Sequence, residues 1–235
     1  MNKHWKIALV LGVFGLIGGY FTAESTLNSG FIDIPDPSLF RIITIIQTGV
    51  LTFLLSWAGL WLMQRTPLSL YKRNSIIPAL IMGIGVGFVI QGSDALLFIN
   101  WLPELASLGG ETSLNALLLG VFYGGVVEEV MMRLFLMTFT IFLFLKIKKR
   151  ESLSGTYYWI AIIVTSFIFA VGHLPANIAI FGELSVVVLF RALFLNAIGG
   201  IFYGYLFWKY GLFFSVIAHM VTHIAMQLLW IPLFN

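Results

Sequence analysis

Residues 122–136 read Phe-Tyr-Gly-Gly-Val-Val-Glu-Glu-Val-Met-Met-Arg-Leu-Phe-Leu, and their only charges are Glu128, Glu129 and Arg133. They sit inside an apolar run from Leu114 to Leu145. Such a run reads as a membrane span, since about 20 apolar residues in a helix cross the hydrocarbon core. A charged side chain near the bilayer centre costs about 2.5–3.5 kcal/mol even on the mild insertion scale. Charges retained at that cost mark an ion path, a proton path or a reacting site.

The rest of the chain has the same character. Of 235 residues, 60% are hydrophobic and 10% charged, where a soluble domain carries roughly 25% charge. The expected fold is all-α, a polytopic transmembrane helix bundle of about seven spans. They fall near 5–22, 39–63, 76–99, 114–145, 158–181, 184–208 and 211–232. The last two links are so short that six or eight spans also fit. The fourth would be about 48 Å long as a straight helix, so it must tilt, bend near Gly124-Gly125 or project from the bilayer. Lys3 and Lys6 followed by Ile7 to Tyr20 resemble a signal peptide, but read here as an uncleaved first span. The chain has no cysteine, which excludes a disulfide, a thiolate nucleophile and a Cys-ligated metal. One membrane-embedded domain, 1–235, accounts for the whole pattern.

Charge sets the orientation. Basic links carry Lys3 and Lys6; Arg65, Lys72 and Arg73; Lys146, Lys148, Lys149 and Arg150; and Lys209. Acidic links alternate with them and carry Glu24, Asp33 and Asp36; Glu104 and Glu111; and Glu183. The positive-inside rule places the N-terminus in the cytoplasm and the C-terminus outside. The net charge of +3 is a matter of topology and implies no nucleic-acid partner. Gly83-x-x-x-Gly87 and Gly200-x-x-x-Gly204 read as close helix contacts.

Few polar groups remain inside the spans. Glu129 and Arg133 are four apart, so they share a helix face and form an ion pair in the better order. Glu128 lies about 100° away and is left free to meet another helix. His173 stands in Phe169-Ala-Val-Gly-His-Leu-Pro175, where the proline weakens the helix. His219 and His223 are four apart and face one way. Counted from the cytoplasmic ends, Glu128 is about 26 Å deep, His173 about 22 Å, His223 about 18 Å and His219 about 12 Å. One polar pocket between spans four, five and seven accommodates all four. Asp94 and Arg191 lie in the outer third and read as a structural pair.

Glu128-Glu129-x-x-x-Arg133, Phe169-x-x-x-His173, and His219 four residues before a polar position together resemble the CAAX protease and bacteriocin-processing (CPBP or Abi) family. The resemblance covers about 114–232, the catalytic core; residues 1–113, the N-terminal spans, carry none of it. It implies an intramembrane endopeptidase of the cell membrane, acting on membrane-associated peptides or proteins in maturation, bacteriocin immunity or regulated cleavage; the short loops point to a bacterial origin. It also implies a glutamate-activated water and no metal. One position departs: the third motif of the family usually ends in Asn or Asp, and here it ends in His223.

The candidate catalytic residues are therefore Glu128, Glu129, Arg133, His173, His219 and His223. Glu128 is the expected base, His173 holds the water or protonates the leaving amine, and His219 and His223 face the oxyanion. Arg133 fixes Glu129. Ser166 and Ser215 show no triad. No cofactor is expected. A zinc shell of His173, His219, His223 and Glu128 is the alternative mechanism, although the chain lacks a His-Glu-x-x-His run. The non-catalytic alternative is a membrane scaffold or regulator that keeps the family fold. A proton-coupled transporter would show repeated halves, and none is visible. Substrate identity and oligomeric state are not encoded in any motif.

Overall fold

The structure, a computed structural model, describes residues 4–108 and 112–234. Lys3 and Glu111, which entered the charge reading, lie outside the described residues. The described residues form helices and no strand. The membrane-length helices are α1 (His4–Ser29), α2 (Pro37–Met63), α3 (Ile77–Leu96), α4 (Leu114–Lys148), α5 (Gly155–Gly172) with its continuation α6 (Leu174–Phe181), α7 (Val186–Tyr210) and α8 (Leu212–Phe234). Counting α5 and α6 as one crossing, seven are long and apolar enough to span a bilayer. The chain is a multi-pass helical membrane protein.

Local chemistry sets the ends of these helices. Asp36 accepts the Leu39 N–H at 2.9 Å and Pro37 follows it, a paired start signal for α2. Ser113 and Ser185 cap α4 and α7 in the same way, at 3.3 and 3.2 Å. Lys149 closes α4 in the left-handed region, at φ 51°. A single residue, Gly211, joins α7 to α8. Its φ is 107°, and a Cβ there would lie 2.7 Å from the Leu70 carbonyl oxygen, so only glycine allows so short a link.

The length of α4 is absorbed by a device beyond tilt, bend or projection. Gly120–Glu128 and Val130–Met137 adopt wide π-type turns, with ordinary α-helix before and after. Wider turns take up more residues per unit of length. Glu128 and Glu129 stand at the seam between the two segments.

Two ends of the bundle are distinct. At the basic end, the Lys72 N–H donates to the Tyr210 carbonyl at 2.8 Å and Phe213 N–H to Leu70 at 3.0 Å. Tyr158 stacks on Trp208 there, centroids 4.7 Å apart. At the opposite end Arg41 pairs with Glu24. Arg191 grips Asp94 through two bonds of 2.7 and 2.5 Å and Asn177 through a third of 3.1 Å, tying α3, α6 and α7 together. The glycine pairs seat neighbouring helices. A Cβ at Gly87 would lie 2.9 Å from the Thr222 carbonyl oxygen, and one at Gly200 2.7 Å from Ser166 Oγ. The largest buried apolar cluster includes Leu134, Met137, Ile141, Leu145, Phe207 and Leu212, and fills the bundle toward its basic end.

Candidate active site

The break between α5 and α6 builds one wall of the site. Pro175 has no N–H to continue the ladder, so α5 stops at Gly172. The His173 N–H goes to Ala170, three residues back, at 3.1 Å. The Phe169 carbonyl is taken by the His173 ring itself, Nδ1 to oxygen at 2.8 Å. A carbonyl only accepts, so Nδ1 carries the proton and Nε2 turns outward with its lone pair. Nε2 lies 3.6 Å from Glu128 Oε1.

The second wall comes from α8. His219 Nδ1 lies 3.0 Å from Glu129 Oε1, and its Nε2 faces Glu128 Oε2 at 3.7 Å. Each oxygen of Glu128 thus meets one imidazole nitrogen, at a distance too long for a direct hydrogen bond and suited to a bridging water. Glu128 keeps some exposure, 16%, whereas Glu129 has none. The adjacent carboxylates face different environments, one toward an open space and the other into the packed interior.

Glu129 is held on every side. Arg133 Nη1 lies 3.2 Å away, as an ion pair without hydrogen-bond alignment. The Ser215 hydroxyl sits against Oε2 and also 2.9 Å from the Tyr203 carbonyl. Arg133 Nη2 donates to the Gly200 carbonyl at 2.9 Å, and its guanidinium lies over the rings of Phe169 and Tyr203 at 5.2 and 5.4 Å. Ser215 is fully buried and touches no histidine nitrogen. It serves as a clamp on Glu129, and a serine triad is not formed.

His219 is also fixed through its faces. Tyr203 stacks on one side at 4.3 Å and His223 at 5.2 Å, each within 20° of parallel. The Tyr203 hydroxyl donates to Thr222 at 2.7 Å. The His223 ring lies along α4 against Gly120 and Gly124; a Cβ at Gly124 would sit 2.7 Å from His223 Nε2 and 3.3 Å from His219 Nε2. Gly120 and Gly124 form a notch for that ring, which the sequence reading did not single out.

These groups surround a cavity of about 540 Å³. Glu128, His173, His219 and His223 all line it. Spans four, five and seven contribute, as expected, but span six adds Tyr203 and Asn196, and spans one and three add Thr22 and Ile90. Asn196 is one of several polar lining residues that sequence reasoning missed, with Tyr123, Tyr203, Thr222 and Gln227. Its amide gives one N–H to the Ala192 carbonyl at 2.8 Å and otherwise lines the cavity. A lone Asn in an apolar span was its only signal. Among the described residues, no group of three or more His, Asp or Glu side chains has the geometry to hold a metal ion.

A helical membrane bundle with a buried carboxylate–imidazole cavity defines the class: a multi-pass protein with a polar site inside the bilayer. Residues 110–225 match the family model described as type II CAAX prenyl endopeptidase Rce1-like. Through that region the chain is similar to the Rce1-like endopeptidases, in agreement with the motif resemblance. No curated protein and no solved structure matches the chain.

Proposed function

We propose that the protein is an intramembrane endopeptidase that hydrolyses a peptide bond with a water activated by Glu128. The observation that carries this reading is the convergence of His173 Nε2 and His219 Nε2 on the two oxygens of Glu128, at 3.6 and 3.7 Å, inside a cavity. A water between these groups would donate to Glu128 and be aimed by His173. As its oxygen attacks the carbonyl carbon, its proton passes to Glu128. The same proton then moves to the amide nitrogen as the C–N bond breaks, leaving a free amine and a carboxylic acid, which ionises on release to water. Asn196, with a spare amide N–H, supplies a positive dipole for the oxyanion, and His219, oriented by Glu129, flanks the water on the other side of Glu128. His223 acts by holding the His219 ring. The cell membrane is the proposed location, and the substrates are membrane-associated peptides or proteins.

The test is cleavage of a membrane-anchored peptide library by the purified full chain in detergent or nanodiscs. Glu128→Gln and His173→Ala are expected to cut turnover by about 10²–10⁴-fold while elution profile and Tm are kept. Cleavage unaffected by Glu128→Gln would defeat the mechanism. A Glu128→Gln protein that still complements a deletion strain would favour the scaffold role. Loss of activity in chelator, restored by zinc, would favour the metal alternative.

A further inference from the structure

Resting on the endopeptidase reading, we infer that the site is served from the side opposite the cytoplasm. Its substrates then present the scissile bond in the outer half of the bilayer or just beyond it, as exported peptides or the outer ends of membrane-spanning segments do. A tail anchored at the cytoplasmic leaflet does not reach it.

The cavity lies toward one end of the bundle axis. Its lining residues nearest the basic end are Tyr203 and His219. Each is seven residues from the Tyr210–Leu212 turn, about 10 Å along its helix. From there the lining runs only the other way. It includes Ala116 in the first turn of α4, Ala176 in α6, Gln227 in the second half of α8 and Thr22 near the end of α1. All four lie toward the end where Arg191 grips Asp94 and where the Ser113 N–H donates to Gln227 Oε1 at 2.8 Å.

Beneath the floor the bundle is closed. Glu129, Ser215, Leu134, Met137, Ile141 and Phe207 are all 0% exposed, and they fill the space between the cavity and the basic loops. A second cavity does exist at the basic end, lined by Arg65, Lys146, Lys149 and Arg150 among others. It shares no lining residue with the catalytic cavity.

Charge then says which end is which. Among the described residues, the basic end carries nine Lys or Arg (Lys6, Arg65, Lys72, Arg73, Lys146, Lys148, Lys149, Arg150 and Lys209) against one acid, Glu151. Among the described residues, the opposite end carries Glu24, Asp33, Asp36, Asp94, Glu104 and Glu183. Its two cations, Arg41 and Arg191, are each paired with one of those acids. All the basic loops are short, the regime in which such a bias sets orientation. The basic end is cytoplasmic and the mouth of the cavity is not.

The absence of native cysteine makes the test direct. Thr112→Cys, exposed beside the Ser113 cap of α4, and Lys149→Cys on the basic loop are each treated, in intact cells, with a membrane-impermeant maleimide. Thr112→Cys is expected to label in intact cells and Lys149→Cys only after permeabilisation; the reverse pattern overturns the proposal whatever the enzyme does. A second arm uses oriented proteoliposomes and a single-span reporter whose quenched peptide lies on one face or the other. Cleavage confined to the Thr112 face supports the proposal, and cleavage confined to the Lys149 face overturns it. Absence of cleavage on both faces, with labelling as expected, overturns the endopeptidase reading itself, and the labelling result tells that failure from a failure of sidedness.

Discussion

Arg133 shows how a single costly residue is made tolerable. Its guanidinium is 1% exposed and its partner carboxylate 0%, so neither charge is solvated. Around Glu129 the ion pair is supplemented by Ser215 and His219, and around Arg133 by the Gly200 carbonyl and two aromatic faces. Removing one member of a buried pair typically costs about 3–5 kcal/mol because the other charge is stranded. Arg133→Met is therefore expected to lower the detergent Tm sharply, with a loss of about 3 kcal/mol. The double variant Arg133→Met with Glu129→Gln should recover much of that stability while staying inactive, because His219 loses its carboxylate anchor. A double-mutant cycle by reversible unfolding checks it, and a single variant as stable as the parent would show that the pair is not the keystone of this packing. The sequence made the pair visible through its i,i+4 spacing. Ser215 and Tyr203 were not legible as part of it, because their contacts join positions 86 residues apart and 12 residues apart, and no local pattern encodes those.

At the scale of the element, α4 is the organising piece. Its amphipathic logic could be read: carboxylates on two faces, one for the cavity and one for the interior. Its wide turns could not, because periodicity over a uniformly apolar run does not distinguish 3.6 residues per turn from a wider winding. The glycines explain what the wide segment is for. Gly120 and Gly124 leave room for the His223 ring, while a Cβ at Gly85 on α3 would meet nothing within 4 Å. A matched pair of substitutions follows. Gly85→Ala should be neutral or stabilising by about 0.5–1 kcal/mol, since it only removes backbone freedom. Gly124→Ala should push on His223 and His219 and reduce turnover by at least about tenfold, a displacement of a reacting group by an ångström or less being enough. The Tm of the two variants and their kcat against one peptide separate the effects. Equal activity in both would mean that the notch does not position the histidines.

Across the whole molecule, the fold class and the number of crossings were legible because hydropathy at membrane length is a strong signal. The outline of the cavity was legible only in part. Motif positions identified three of its walls, whereas Thr22 on α1 and Ile90 on α3 lie outside residues 110–225, the stretch that matches the family. The N-terminal spans are therefore part of the site's shape and more than an anchor. Thr22 bonds its hydroxyl back to the Gly18 carbonyl at 2.9 Å, so it makes no polar demand on the cavity and can be enlarged without orphaning a partner. Gly18 seats α1 against Phe122 of α4, 3.3 Å from a Cβ at that position, which holds residue 22 close to the reacting groups. Thr22→Phe is expected to narrow the cavity, raising KM for bulky peptides by about 10–200-fold, the range a pocket gains or loses by small changes in apolar volume. The kcat for small peptides and the Tm should stay near the parent values, since no reacting group is touched. A substitution that left the ranking of peptide substrates unchanged would return α1 to the role of a spacer and assign selectivity to the family-matched helices alone.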